Sequence, residues 1–185
     1  MRPRETSLVA ACLALTIAAM GLSACGSSDS GSSGPAKFHN DAYPFTFEYP
    51  NTFSVNDNVT LNQNLGTKTE NNLALVLDDT NGIILQTAPL NVAVTKANLD
   101  AAKREFDALV GKADPSASGR PTEVGGFPAL EYTPIAISSI PDGQSQITFL
   151  FQGRNEYVIN CQSTPDHRSQ MDAACDQAVS TLQPA

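Results

Sequence analysis

The chain has 185 residues, with 19 acidic and 11 basic side chains and a formal net charge of −8. This acidic balance favours solubility and disfavours polyanions, so nucleic acid and a bare anionic lipid surface are excluded as expected partners. Residues 36–185 are enough to form one domain with a sizeable core.

Residues 1–24 have the three parts of a secretory signal peptide. Arg2 and Arg4 make a basic start, an apolar run covers positions 8–22, and small residues lead up to Cys25. The run is shorter than the ~20 residues that a membrane-spanning helix needs. The pattern therefore predicts a segment that is removed on export.

The end of this segment together with the next residue, Leu22-Ser23-Ala24-Cys25, resembles the lipobox of bacterial lipoproteins. The resemblance implies that a diacylglyceryl group is attached to the Cys25 sulfur and that cleavage makes Cys25 the first residue of the mature chain. Two acyl chains hold a protein stably on a membrane. We therefore expect an extracytoplasmic protein anchored by lipid at Cys25. An ordinary cleavage after residues 19–21, whose spacing is of the A-x-A type, remains the alternative.

Residues 25–36 are expected to comprise this lipidated cysteine and a Gly/Ser-rich tether. A flexible coil of ten such residues has a root-mean-square span of about 15–20 Å. That length can hold a folded domain clear of the lipid headgroups. The globular domain is then expected over residues 37–185.

The domain opens with strand patterns. Aromatic residues occupy alternate positions from Tyr43 to Tyr49, which predicts a strand with one buried face. A ligand-stacking platform is the alternative interpretation of this stripe. Pro44 and Pro50 indicate an edge strand or mark the strand ends. Residues 53–55 are expected to form a second short strand.

Three pairs of apolar segments, each separated by turn residues, predict hairpins of a largely antiparallel sheet. The first turn contains Asp78-Asp79, but it lacks the alternating ligands and the distant Glu of a calcium-binding EF-hand loop, so we interpret it as a turn. The last pair is apolar on both faces, as in a sheet that is covered above and below. The paired segments are 73–77 with 83–85, 122–124 with 127–135, and 145–152 with 156–162.

Two amphipathic helices are predicted, over Thr95–Lys112 and Pro165–Leu182. Each has an apolar stripe at helical spacing. Thr95 or Asn98 can cap the first helix and Thr164 the second. The stripe of the second helix comprises Met171, Ala174, Cys175, Ala178, Val179 and Leu182.

The four cysteines have separate expected fates. Cys12 leaves with the signal peptide and Cys25 carries lipid, so Cys161 and Cys175 remain as a pair. In an oxidising compartment this pair predicts a disulfide between the last strand and the last helix. The closed loop of about 15 residues corresponds to roughly 3 kcal/mol in the chain-entropy model. A reduced thiol pair remains the alternative, and no metal site is expected.

These elements predict an α+β fold, a mostly antiparallel sheet covered by helices on both faces in a helix–sheet–helix sandwich. Phe38–Pro50 with Phe53 is similar to the opening motif of PsbP-like proteins, a short turn, an aromatic strand and Tyr-Pro. Gly125–Tyr132 and the terminal strand and helix support this resemblance across residues 37–183. It implies the fold of extrinsic photosystem II proteins and many bacterial lipoproteins, a binding or assembly role, and no shared catalytic residues. A likeness of fold does not name a partner.

No catalytic constellation is evident, and no cofactor is expected. The chain has two histidines, His39 and His167, and neither a G-x-S-x-G elbow nor a phosphate-binding loop. The sequence therefore predicts a non-enzymatic binding or assembly domain of the cell envelope, tethered to the membrane, with an envelope protein as its partner. The alternative is a small envelope hydrolase that uses His167 with an acidic residue.

Overall fold

The computed structural model describes residues 34–57, 70–137 and 140–185. The predicted signal peptide, Cys25 and most of the tether lie outside the described residues. Short 3-10 turns, Lys96–Asn98 and Pro165–His167, precede the two helices. In chain order the elements are β1 (Ala36–Phe38), β2 (Phe45–Tyr49), β3 (Ser54–Asn56), β4 (Glu70–Val76), β5 (Gly82–Val94), α1 (Leu99–Val110), β6 (Arg120–Val124), β7 (Phe127–Ala136), β8 (Gln144–Ser163), α2 (Arg168–Ser180) and β9 (Gln183–Pro184).

The main sheet has six strands in the order β3-β4-β5-β8-β7-β6. Every pairing in it is antiparallel. The predicted hairpins around Asn81-Gly82 and Gly125-Gly126 are β4–β5 and β6–β7. The α+β class with two helices and a largely antiparallel sheet is confirmed.

The central strand β8 is an extended segment of 20 residues that folds back on itself. A straight strand of this length would span about 66 Å, yet Ser145 Oγ hydrogen-bonds to Asn160 Oδ1. The first arm of β8 pairs with β7 and the second arm with β5. Gly153, with φ +60°, lies where the arms meet, a conformation that glycine adopts readily. The two strands predicted on either side of residues 153–155 are these two arms.

A smaller sheet has three strands in the order β1-β2-β9. Pro44 and Pro50 directly flank β2, so the interpretation of the two prolines as markers of the strand ends is confirmed. The alternative of an edge strand is wrong, because β2 is the central strand of this sheet. The short strand β9 was not predicted. It pairs with β2 through Phe45–Pro184 and Thr46–Gln183.

The buried side chains form two main clusters, and neighbouring residues of β8 divide between them. Phe149 lies with the apolar side of α1, and Leu150 lies with that of α2, as expected of consecutive strand residues. We call these the α1 cluster and the α2 cluster. The aromatic stripe Tyr43–Tyr49 belongs to the α2 cluster, so its prediction as core is confirmed. The α1 cluster contains Leu90, Val94, Leu99, Ala102, Phe106, Leu109, Val110, Leu130, Tyr132, Ile135, Ile147, Phe149, Phe151 and Val158.

Both helices begin later than predicted, at Leu99 and Arg168, because the predicted first turn of each is a 3-10 turn. The Thr95 backbone N–H donates to Asn98 Oδ1 at 2.7 Å, which fixes the turn before α1. Thr164 and Pro165 open the turn before α2, where the missing proline N–H costs nothing. Within the part of the chain that is described, neither helix has the length and apolar character that crossing a membrane requires.

Candidate functional site

Three connections meet at one end of the main sheet. Gly82 at the start of β5 lies opposite Gln162, and Ala136 at the end of β7 lies opposite Gln144. This register brings the β4–β5 turn, the β7–β8 connection and the start of α2 to the same end. Polar side chains from these connections form the best-defined candidate site, which we call the Asn81 site and define as Asp78, Asn81, Thr164 and His167.

Asn81 is the centre of this site and is only 1% exposed. Its Oδ1 accepts hydrogen bonds from the Thr164 backbone N–H at 2.7 Å and from Thr164 Oγ1 at 3.1 Å. Its Nδ2 donates to both carboxylate oxygens of Asp78 at 2.9 Å. One buried amide therefore holds the β4–β5 turn against the start of α2.

Asp78 is a hydrogen-bonded carboxylate of a turn. Its Oδ1 accepts from the backbone N–H groups of Thr80 and Asn81, each at 2.8 Å. Burial acts to raise the pKa of Asp78, but the hydrogen bonds from Thr80 and Asn81 outweigh it and hold the pKa below its usual value. This agrees with the interpretation of Asp78-Asp79 as a turn. In residues 34–57, 70–137 and 140–185, no three His, Cys, Asp or Glu side chains are grouped to hold a metal ion.

His167 lies at the rim of the site with its side chain partly exposed. Its Nδ1 is 3.8 Å from Asp78 Oδ2 and 3.4 Å from Asn81 Nδ2. An acidic neighbour is therefore present, as the hydrolase alternative requires. These two polar contacts of the ring, to a carboxylate and to an amide, involve neither a hydroxyl nor a thiol that His167 could activate.

His39 does not take part in this site. It follows β1, and its Nε2 is 3.7 Å from the exposed carboxylate of Asp41. The structure thus gives the two histidines different acidic neighbours.

The predicted disulfide is present. Cys161 of β8 and Cys175 of α2 are bonded with an S–S distance of 2.10 Å and a Cα–Cα distance of 6.0 Å. Both residues are buried in the α2 cluster. The bond therefore fixes α2 to the second arm of β8.

A second hydrogen-bonded carboxylate, Asp107, joins α1 to β7. Its Oδ1 accepts from the Tyr132 hydroxyl and from the Gly119 backbone N–H, each at 2.8 Å, and Lys103 Nζ donates to its Oδ2. Burial acts to raise the pKa of Asp107, but the hydrogen bonds from Lys103, Gly119 and Tyr132 outweigh it and lower the pKa. This network fixes the loop before β6 against α1.

Sequence reasoning missed the most unusual ionisable group, Glu156. It is 0% exposed, and both of its carboxyl oxygens are buried without a hydrogen-bond partner in the described residues. Burial raises its pKa well above the usual value. A charged residue beside the predicted turn at 153–155 is expected to be solvated. The available signal was alternation, which puts Glu156 on the same strand face as the apolar Val158.

The fold is also found in solved structures. The chain is similar to cyanobacterial PsbP (CyanoP) from Synechocystis sp. PCC 6803, with a TM-score of 0.56 and 12% identity over 89% of this chain and 99% of that one. A Bacteroides thetaiotaomicron protein has a TM-score of 0.48 and 12% identity over 80% of this chain and 48% of that one. This chain has a PsbP-like fold. At 12% identity the likeness to CyanoP shows the fold alone. No protein-family model and no curated protein sequence match the chain.

Proposed function

We propose that this protein is a lipid-anchored lipoprotein of the bacterial cell envelope, with a PsbP-like domain that acts as a non-enzymatic binding or assembly module. The observation that carries the proposal is the order of its segments. A lipobox ending at Cys25 is followed by Gly/Ser residues and then by a domain whose first strand begins at Ala36. Among the described residues, Asn51 Nδ2 donates to the Gly34 carbonyl oxygen at 3.0 Å, which joins the end of the expected tether to the domain.

The disulfide supports the proposed compartment. Structural disulfides persist in exported proteins and are rare in the reducing cytosol. The buried Cys161–Cys175 bond is therefore consistent with a domain that folds after export.

The geometry of the Asn81 site supports a binding module over an enzyme. Asn81 uses its amide oxygen and nitrogen to join two connections, and the polar contacts of the His167 ring are to the Asn81 amide and the Asp78 carboxylate. The approach of His167 Nδ1 to Asp78 favours the small envelope hydrolase as a second candidate, since a carboxylate can orient a histidine base.

We also propose that α1 and α2 cover opposite faces of the main sheet, which completes the helix–sheet–helix sandwich. The division of Phe149 and Leu150 between the α1 and α2 clusters supports this arrangement. It leaves the turns at the sheet ends, including the Asn81 site, as the polar surfaces that a partner would contact.

The anchor is tested by metabolic labelling with an alkyne fatty acid in a bacterium that processes lipoproteins. The full chain should incorporate label and sediment with membranes, while Cys25→Ser should do neither. Cys12→Ser is the matched control and should be labelled like the wild type. An unlabelled wild-type protein, or a labelled Cys25→Ser protein, would refute the anchor.

The role of the domain is tested by crosslinking in intact cells with the lipidated chain. A binding module with His167→Gln should still capture the envelope neighbour that the wild type captures. The hydrolase alternative instead requires purified wild-type protein to turn over an ester or amide substrate and His167→Gln to lose that turnover.

A further inference from the structure

Glu156 occupies an apolar position in the middle of the main sheet. It lies in the second arm of β8 opposite Ala88 of β5, and strand alternation puts it on the same face as Val158 of the α1 cluster. It is fully buried, and neither carboxyl oxygen has a hydrogen-bond partner in the part of the chain that the structure describes. An ionised carboxylate in such a place is strongly disfavoured, so the group is expected to be neutral.

The fold of β8 puts Glu156 beside the phenylalanines that pack on α1. Ser145 and Asn160 are in contact across the two arms, and Ser163 Oγ donates to the Gln144 carbonyl oxygen at 3.5 Å. Glu156 therefore lies across from the segment of the first arm that contains Phe149 and Phe151. Both rings pack edge-on against Phe106 of α1, with 4.7 and 5.3 Å between ring centroids. The carboxyl group therefore lies at the contact between α1 and the sheet.

Within the described residues, the elements around Glu156 offer it no compensating charge. On its own strand, Arg154 is the next residue on the same face, but the Arg154 side chain is exposed and its Nε donates to the Leu90 carbonyl oxygen at 3.2 Å. On β5, the same-face neighbours of Ala88 are the uncharged Gln86 and Leu90.

The ionisable groups of α1 and β7 supply no compensating charge either. Asp100 and Arg104 are exposed, and Glu131 pairs with Arg120. Lys103 pairs with Asp107, and the Tyr132 hydroxyl donates to Asp107. Glu105 is itself an acid whose pKa is raised by burial. Burial is accordingly the cause of the raised pKa of Glu156.

The two helices are held to the sheet in different ways. The Cys161–Cys175 bond ties α2 covalently to β8. The described contacts that hold α1 are non-covalent, the packing of Phe106 and the hydrogen bonds of Asp107 among them. A charge created in the α1 cluster is therefore relieved at lower cost by movement of α1 than by movement of α2.

We propose that Glu156 is a pH-sensitive conformational switch. Its neutral form allows α1 to pack on the sheet, and its ionisation at higher pH releases α1 from the sheet while α2 stays in place. The device is conformational and is independent of the lipid anchor. It opens as pH rises, because only the opened state lets water reach the carboxylate. The opening constant then increases tenfold per pH unit between the pKa of the opened state, about 4.3, and that of the closed state.

The test is hydrogen exchange with peptide-resolved mass spectrometry on the full, unreduced chain, from pH 5 to pH 9. The wild type is compared with Glu156→Gln at each pH, so that the intrinsic pH dependence of exchange cancels. Peptides from Leu99–Val110 should lose protection in the wild type relative to the variant, by up to tenfold per pH unit. Peptides from Arg168–Ser180 should show no such difference.

The matched control is Glu48→Gln, which changes an exposed carboxylate on β2 and should exchange like the wild type. If Glu156→Gln folds poorly, Glu156→Leu replaces it and should also show pH-independent protection of α1. The proposal would be overturned if the ratio of the α1 exchange rates in the wild type and in Glu156→Gln stayed constant with pH. Equal loss of protection in α1 and α2 would also overturn it, since that outcome means global unfolding.

Discussion

At the scale of single residues, Asn81 is the side chain on which the candidate site most depends. Asn81→Ala removes the acceptor of the partly buried Thr164 N–H and a donor to Asp78. A buried polar group left without its partner costs about 1–3 kcal/mol. We expect the free energy of unfolding, measured by urea titration, to fall by roughly that amount. Asp79→Ala, in the same turn but exposed, should change it by less than about 0.5 kcal/mol, and equal effects of the two substitutions would contradict the role of Asn81.

The sequence predicted the roles of single residues correctly where those roles depend on neighbouring positions in the chain. It failed where they depend on residues that are distant in the sequence. The Asn81-Gly82 pair identified the turn, because turn propensity depends on neighbouring residues. The bond from Asn81 to Thr164 spans 83 positions, and no local pattern encodes it. Alternation with Val158 indicated the face on which Glu156 lies, but the complete burial of Glu156 also depends on how the two arms of β8 pair in the sheet.

At the scale of elements, the disulfide between β8 and α2 should make a large contribution to stability. Cys161→Ala and Cys175→Ala each remove the same bond, whose loop contributes roughly 3 kcal/mol in the chain-entropy model. The two single variants and the double variant should therefore lose similar unfolding free energy in urea. Wild-type protein unfolded under reducing conditions should match them. Variants as stable as the oxidised wild type would show that the disulfide contributes nothing to the free energy of unfolding.

In the elements that the sequence predicted correctly, apolar residues recur at a regular spacing. The aromatic alternation of β2 and the stripes of α1 and α2 are repeated over enough residues to identify each element and its buried face. The strand β9 has two residues and no period, so its pairing with β2 had no signal. That missing partner is why Pro44 and Pro50 were open to interpretation as edge-strand prolines.

At the scale of the whole molecule, its buried and hydrogen-bonded carboxyl groups act on stability in opposite directions. The pKa values of Asp78 and Asp107 are lowered in the folded state. Their contribution is fully present above the unfolded pKa of about 3.9 and is lost as pH falls through the folded pKa. The pKa of Glu156 is raised, so its contribution is fully present below the unfolded pKa of about 4.3 and is lost as pH rises towards the folded pKa.

The unfolding free energy should therefore be greatest near pH 4, around these two unfolded pKa values, and decline on both sides. Urea titrations from pH 2 to pH 9 measure this profile. Asp107→Asn keeps an oxygen that can accept the hydrogen bond from the Tyr132 hydroxyl but removes the group that titrates. It should therefore reduce the loss of unfolding free energy at acidic pH and leave the loss at higher pH unchanged. Glu156→Gln should flatten the decline above about pH 4 and leave the acid side unchanged, with a gain at pH 7 of at most about 3–4 kcal/mol, the cost of keeping an ordinary carboxyl protonated there. Profiles of both variants that run parallel to the wild type would show that other groups control the stability of the domain, because each substitution removes one titration and leaves the remaining groups in place.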